Sequence, residues 1–210
     1  MAFETIDRIP LFGLTDSIRF EILFQKALCA YLSEQFTLAN SYLIQIQSIS
    51  LVKIKNNFLK VNFLQILVFN EQRNWTASKE ILISIKDSLN NIEHYDILVS
   101  NYSKKNIPKM RNKETQFWIS FLPGAGIAYA GKPIEGIFNF TINAAALAFG
   151  VYQVYYKYYL TGYFGSTFLL QKFYMGGRKR GEFLLEKRNY LKAKDFNEKI
   201  KNELVELSRN

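Results

Sequence analysis

The chain has 210 residues, 49% of them hydrophobic, which is enough to form the core of one large domain or two small ones. Its formal charge of +9 is uneven, because residues 1–103 hold 9 Lys/Arg against 10 Asp/Glu and residues 104–210 hold 18 against 8. This asymmetry indicates that the C-terminal half meets something anionic, either nucleic acid or lipid headgroups. The single cysteine, Cys29, excludes an intrachain disulfide.

Catalytic chemistry has few candidate residues in this sequence. His94 is the only histidine, and no His/Cys/carboxylate cluster offers a metal site. Glu135 is the one acid in the apolar part of the chain, and a local ion pair with the nearby Lys132 is its favoured role. We therefore predict a protein with no metal, no cofactor and no enzymatic activity.

The first hundred residues have the pattern of paired helices. Apolar residues recur at helical spacing from Asp16 onward, and "EQFTLANSYLIQI" follows after a turn. This stretch resembles the turn and second helix of a tetratricopeptide repeat. That family places a small residue on the first helix, an aromatic residue after the turn and an alanine three residues later. Ala27, Phe36 and Ala39 occupy these places.

A second copy follows 39 residues later, at "EQRNWTASKEILISI", where Trp75 stands in the place of Phe36 and Ser78 in the place of Ala39. The resemblance implies stacked antiparallel helix pairs and a surface that binds a partner protein. The period exceeds the family's 34 residues, so generic helical hairpins are the alternative. Two repeats need a cap, either from residues upstream or from Ile92–Tyr102.

The next part of the chain has the pattern of a membrane hairpin. Residues 104–113 contain five basic residues and no acid, residues 117–177 carry only four charges, and "RKRGEFLLEKR" then restores the charge. An apolar block between two basic collars is typical of a helical hairpin whose positive flanks stay on one side, the cytoplasm. We predict one span from Ile134 to Tyr159, a turn at Thr161–Gly162 and a second, shorter apolar helix.

The predicted span carries one polar and small stripe. At 100° per residue its members fall within one narrow arc, and the rest of the helix is apolar. In a membrane this stripe would face a partner helix, because small residues permit close contact and amides bond across. The members of the stripe are Glu135, Asn139, Asn143, Ala146 and Gly150.

The segment "FLPGAGIAYAGKPIEG" is rich in turn residues and also apolar, which is typical of a place where a chain enters a membrane. Together with Asn143 and "FYMGGRKRGE", it resembles bacterial membrane domains built on a Pro-Gly-x-Gly-x-x-Tyr-x-Gly signature and two short apolar helices. Some of these proteins, mostly from Bacteroidetes, join the domain to tetratricopeptide-like helices. The resemblance implies a membrane location and no reaction. The signature positions are Pro123, Gly124, Gly126, Tyr129 and Gly131.

These patterns predict an all-α protein: tetratricopeptide-like helix pairs over residues 1–103, a membrane-embedded helical hairpin over 104–190 and a charged, basic C-terminal helix over 191–210. The favoured function is a membrane-anchored scaffold or adaptor, with the bilayer and a partner protein as its binding partners. A soluble basic adaptor that binds nucleic acid and a small channel or transporter subunit are the alternatives. The bacterial inner membrane is the favoured location. The outer membrane or periplasmic face would follow if a signal sequence preceded these residues.

Overall fold

The computed structural model describes residues 6, 10–50, 54–89 and 92–209. These residues form helices and connecting turns with no strand among them, so the predicted all-α class is confirmed. A short 3-10 helix, Lys86–Ser88, follows the fourth α-helix. The α-helices in chain order are α1 Asp16–Leu32, α2 Phe36–Gln47, α3 Lys55–Glu71, α4 Trp75–Ser84, α5 Ile92–Asn101, α6 Lys113–Ile119, α7 Ala125–Tyr129, α8 Pro133–Tyr155 and α9 Tyr159–Arg209.

The chain divides into two compact units. The first contains Met1–Pro108 together with Ala193–Asn210, and the second contains Lys109–Lys192. The C-terminal segment predicted as a separate helix therefore belongs to the first unit. It is also the end of α9, a single helix of 51 residues that includes the second apolar stretch.

The 39-residue repeat is present in the backbone of the first unit. Helices α1 and α3 each have 17 residues, and α3 begins 39 residues after α1, as α4 does after α2. Both turns use a left-handed residue at the same repeat position, Glu34 with φ 59° and Arg73 with φ 60°. Each turn also makes the two backbone hydrogen bonds of a Schellman motif, which satisfy the last carbonyls of the preceding helix. The two helix pairs are thus copies of one structural unit.

The small residues predicted between the helices are buried. Ala27 and Ala39 have no exposed surface, and the ring of the half-buried Phe36 contacts Tyr31 at 5.9 Å between centroids. In the second pair Trp75 and Ser78 are buried as well. Ser78 Oγ donates to the Ile66 carbonyl at 3.2 Å, so the hydroxyl that replaces a methyl group is satisfied inside the core.

The end of α9 completes the core of the first unit. The Phe196 ring lies edge-on to Trp75 and Tyr102, at 5.5 and 5.8 Å between centroids. Asn197 accepts a hydrogen bond from Trp75 Nε1 at 3.3 Å and donates to the Asn70 carbonyl at 3.0 Å. Burial raises the pKa of the Tyr102 hydroxyl, which is hydrogen-bonded to the Asn70 side chain and stays protonated. The buried residues on this part of α9 are Ala193, Phe196, Asn197, Ile200, Leu204 and Leu207.

We expect Ile200→Ala to lower the free energy of unfolding of the first unit by about 2–5 kcal/mol, because it deletes a side chain with no exposed surface. The matched control is Ile83→Ala, at a side chain 50% exposed on α4, which should change stability by less than about 0.5 kcal/mol. Urea unfolding of the full chain, followed by Trp75 fluorescence in a Trp118→Phe background, measures both. Equal effects of the two substitutions would show that α9 does not stabilise this unit.

Candidate functional site

The candidate site is the hairpin of the second unit, made by α8 and the first part of α9. Among the described residues, α8 is the one helix long and apolar enough to cross a membrane, with a mean hydropathy of 1.4 over its best window. Its 23 residues extend roughly 35 Å, against a hydrocarbon core of about 30 Å. Only 22% of that window is buried within the protein.

The turn between the two helices lies at residues 156–158, so the prediction of a turn at Thr161–Gly162 is wrong. Lys157 adopts a left-handed conformation with φ 65°. The amides of Lys157 and Tyr158 bond the carbonyls of Val154 and Gln153, which is again the pattern of a Schellman motif. Glycine usually takes the left-handed position, and α8 ends here without one.

Small residues bring α8 and α9 close together. A Cβ atom at Gly150 would lie 2.6 Å from the Ser166 Cβ, and one at Gly177 would lie 2.5 Å from Asn139 Oδ1. A side chain at Gly150 would collide with Ser166, and one at Gly177 would displace the Asn139 amide. The buried residues of α8 are Gly136, Asn143, Ala146 and Gly150.

Asn139 bonds across to the neighbouring helix as predicted, whereas Glu135 and Asn143 have other partners than predicted. Glu135 forms its ion pair with Arg180 of α9, at 2.6 Å, and not with the adjacent Lys132. Asn139 Nδ2 donates across to the Phe173 carbonyl at 3.3 Å. Asn143 is buried but bonds within its own helix, donating to the Asn139 carbonyl at 2.8 Å. Two of the three polar side chains therefore connect α8 to α9.

The signature segment forms the tight base of the hairpin. Gly124 has φ 78°, and a Cβ there would overlap the Gly136 carbonyl of α8. A Cβ at Gly181 of α9 would lie 3.1 Å from the Gly126 carbonyl carbon, so the segment also contacts α9 closely. Pro123 is half-buried and follows the end of α6 at Ile119. Gly124 is thus required by a backbone contact, whereas a Cβ at Gly126 would meet the side chains of Ser120 and Gln116.

Two other signature residues meet arginines. Tyr129 is half-buried against the cluster that contains Leu185, with the Arg111 guanidinium 5.1 Å from the ring centroid. Gly131 has φ 104°, and the Arg188 guanidinium occupies the space that its Cβ would need. Arg188 also donates to the Ala130 carbonyl at 3.4 Å.

The outward faces of the hairpin are apolar. On α8 the exposed large hydrophobic residues occupy most of the circumference outside the stripe, and several more lie on α9 and near α6. We call this set the apolar surface. Its members are Phe117, Trp118, Phe121, Leu122, Ile134, Ile137, Phe138, Phe140, Ile142, Leu147, Phe149, Val151, Tyr152, Val154, Tyr155, Tyr156, Tyr158, Tyr159, Leu160, Tyr163, Phe164, Phe168 and Met175.

Aromatic groups mark both ends of the apolar surface. Near the start of α8 the Arg178 guanidinium lies 4.9 and 5.3 Å from the ring centroids of Phe117 and Phe121. At the far end the rings of Tyr152 and Tyr156 are 4.7 Å apart, and further tyrosines surround the turn. Rings of this kind are enriched at the two interfaces of a bilayer.

The ends of the two basic collars contact each other. Lys113 Nζ lies 2.6 Å from Glu186 Oε1, and its hydrogen bond lowers the pKa of the Glu186 carboxyl. The Asn189 side chain pairs with the backbone of Arg111, accepting from its amide at 3.1 Å and donating to its carbonyl at 2.9 Å. The chain therefore enters and leaves the hairpin at the same end.

Comparisons with models of protein families, with curated proteins and with solved structures found no match for this chain. Within the described part of the chain no group of three His, Cys, Asp or Glu residues could hold a metal ion. The sequence predicts amide contacts from the stripe to a partner helix, but it does not identify Arg180 as the partner of Glu135 or the Phe173 carbonyl as that of Asn139. A helical wheel of α8 could not identify them without the register of α9.

We expect Gly150→Leu to destabilise the hairpin by about 1–3 kcal/mol, because the new side chain would collide with Ser166. The matched control is Gly176→Leu, at a helical glycine of α9 with no atom within 4 Å of its Cβ position. This control should be neutral or slightly stabilising, since leucine is the better helix former. Thermal unfolding in detergent measures both, and a control as damaging as Gly150→Leu would refute the packing shown here.

Proposed function

We propose that this protein is a membrane-anchored, non-enzymatic scaffold: the α8–α9 hairpin sits in a bilayer and the helix pairs of the first unit bind a partner protein. In this proposal the helix pairs are tetratricopeptide-like, and the hairpin is a membrane domain of the bacterial type that carries the Pro-Gly-x-Gly-x-x-Tyr-x-Gly signature. The bacterial inner membrane is the proposed location.

The apolar surface carries this proposal. A monomeric soluble protein rarely exposes a contiguous apolar patch larger than a few hundred Å², and a larger patch marks a site for a membrane or a partner. On α8 the large apolar side chains are mostly exposed, whereas Gly136, Asn143, Ala146 and Gly150 are buried within the hairpin. This is the reverse of a soluble amphipathic helix, and it is the arrangement expected when lipid surrounds a helical hairpin.

The collar contacts support an orientation for the anchor. Because Lys113 and Glu186 meet at one end of the hairpin, both collars lie on one side of the bilayer in this proposal. Positive flanks stay in the cytoplasm, so the tyrosine-rich turn reaches the opposite interface.

The same contacts favour an anchor over the two alternatives. Several collar cations already have partners inside the protein: Arg178 on aromatic rings, Arg180 on Glu135 and Lys113 on Glu186. Fewer of them are free to neutralise phosphates of a nucleic acid. The stripe, which a channel would need for its lumen, is in contact with α9.

The first unit offers a repeated apolar feature for a partner. Ile44 and Ile83 hold the same position in the two helix pairs, 39 residues apart, and are 56% and 50% exposed. Exposed apolar residues at equivalent places on stacked pairs favour a binding surface that extends across the repeats.

We expect Leu147→Lys to release the protein from membranes washed with carbonate, because a lysine near the centre of a spanning helix costs about 2.5–3.5 kcal/mol. Leu147 is 58% exposed, so on a soluble protein this substitution would be harmless. The matched control, Ile83→Lys on the first unit, should stay in the pellet with the wild type. Release of the wild type from the washed membranes, or retention of Leu147→Lys in them, would contradict the proposal.

The orientation can be measured by cysteine labelling of sealed vesicles in a Cys29→Ser background. Lys109→Cys and Lys187→Cys are exposed positions in the two collars, and Tyr156→Cys is an exposed position in the turn. We expect the two collar cysteines to react from the same side and the turn cysteine to react from the other. Collar cysteines that react from opposite sides would rule out a hairpin.

A photo-crosslinking residue at Ile44 or at Ile83 should give a discrete adduct of the same mass in native membranes, since both belong to one proposed surface. The control position is Glu80, an exposed residue on α4. Adducts that are absent at both isoleucines, or equally strong at Glu80, would argue against a partner at this surface.

A further inference from the structure

A groove opens on one side of the hairpin, between α8 and α9 near its base. It has a volume of about 270 Å³. Its apolar lining includes Phe138 and Ile142 of α8 and Phe173 of α9. Its charged lining consists of Glu135, Lys172 and Arg180, a balance of one positive charge. We call this feature the basic groove.

The charges of the basic groove are unequally compensated. Glu135 and Arg180 neutralise each other in an ion pair of 2.6 Å. Lys172 is exposed, and over residues 10–50, 54–89 and 92–209 no carboxylate lies within ion-pair distance of its ammonium group. The groove therefore presents one uncompensated cation beside an apolar wall.

The depth of Lys172 makes this cation unusual for an anchor. The bond from Asn139 to the Phe173 carbonyl places Lys172 alongside the second turn of α8, roughly 9 Å along the axis from its first residue. A cation at such a depth in a bilayer normally pairs with an anion or reaches toward the interface. Glu135, the one acid of the groove lining, is already paired with Arg180, so an anion from outside the chain is the partner that the groove can offer to Lys172.

We propose that the basic groove binds one anionic phospholipid. Its phosphate lies at Lys172, the uncompensated cation of the groove, and an acyl chain lies along Phe138 and Ile142. Basic pockets between membrane helices on the cytoplasmic side are suited to anionic headgroups, and the collars assign the base of the hairpin to that side. A zwitterionic lipid would bring its own cation to a groove that already carries net positive charge. This inference rests on the proposed membrane anchoring.

The test is a titration of the full chain, purified in dodecyl maltoside, with fluorescent phosphatidylglycerol or phosphatidylcholine. We expect saturable binding of phosphatidylglycerol, at least tenfold tighter than that of phosphatidylcholine. Lys172→Gln should weaken it about tenfold, the loss of one charge-assisted hydrogen bond. The matched control is Lys187→Gln, an exposed lysine outside the groove, which should bind like the wild type. Gly176→Leu keeps every charge but fills the groove wall, and should weaken binding as well.

Each outcome has a separate meaning. Equal binding of the two lipids, or an equal loss of affinity in Lys172→Gln and Lys187→Gln, would refute lipid binding in the basic groove. Neither result would contradict the proposed membrane anchoring. Competition by millimolar inorganic phosphate as strong as that by lipid would show that the site takes free phosphate, which also overturns the proposal. A chain that carbonate extracts from membranes fails at the earlier step, so the failure of the anchor can be told from the failure of the groove.

Discussion

Close backbone approach at glycine is the constraint on which the second unit depends. The Gly124–Gly136 contact fixes the signature segment against α8, Gly126 and Gly181 fix it against α9, and Gly150 with Ser166 sets the separation of the two helices further along. Once these distances are set, Glu135 meets Arg180 and Asn139 reaches the Phe173 carbonyl. Gly136, Ala146 and Gly150 are buried at these contacts, and the large apolar residues of α8 are left mostly exposed.

The turns of the first unit do not depend on glycine. Both helix pairs close with a Schellman motif that places Glu34 or Arg73, and not glycine, in the left-handed region. Such a residue is disfavoured there by roughly 1–2 kcal/mol, so the packing of the helix pair has to hold the turn. Ala27 and Ala39 allow that packing in the first pair, and in the second the Ser78 hydroxyl bonds to the carbonyl of Ile66.

Periodicity in the sequence was sufficient to predict the helix class, the 39-residue copy and the inward face of α8, because each depends on side-chain type at fixed spacing. Periodicity did not predict the end of α8, because Lys157, and not a glycine, adopts the left-handed conformation there. The turn was predicted at Thr161–Gly162, where the sequence offers a glycine. Periodicity also failed for long-range pairs, since no local signal links Glu135 to Arg180 or Trp75 to Asn197. Residues 191–210 were predicted as a charged helix, and their buried contacts with the first unit were not predicted.

The continuity of α9 has a consequence for the order in which the protein is completed during synthesis. Phe196 and Ile200 belong to the core of the first unit, yet they follow the whole hairpin in the chain. A nascent chain that ends before Ala193 holds both helix pairs and the hairpin but lacks the ring that packs between Trp75 and Tyr102. The ribosome therefore releases the last piece of the N-terminal core only after the apolar segment has emerged. A premature stop directly after Lys192 leaves the second unit complete and removes part of the N-terminal core.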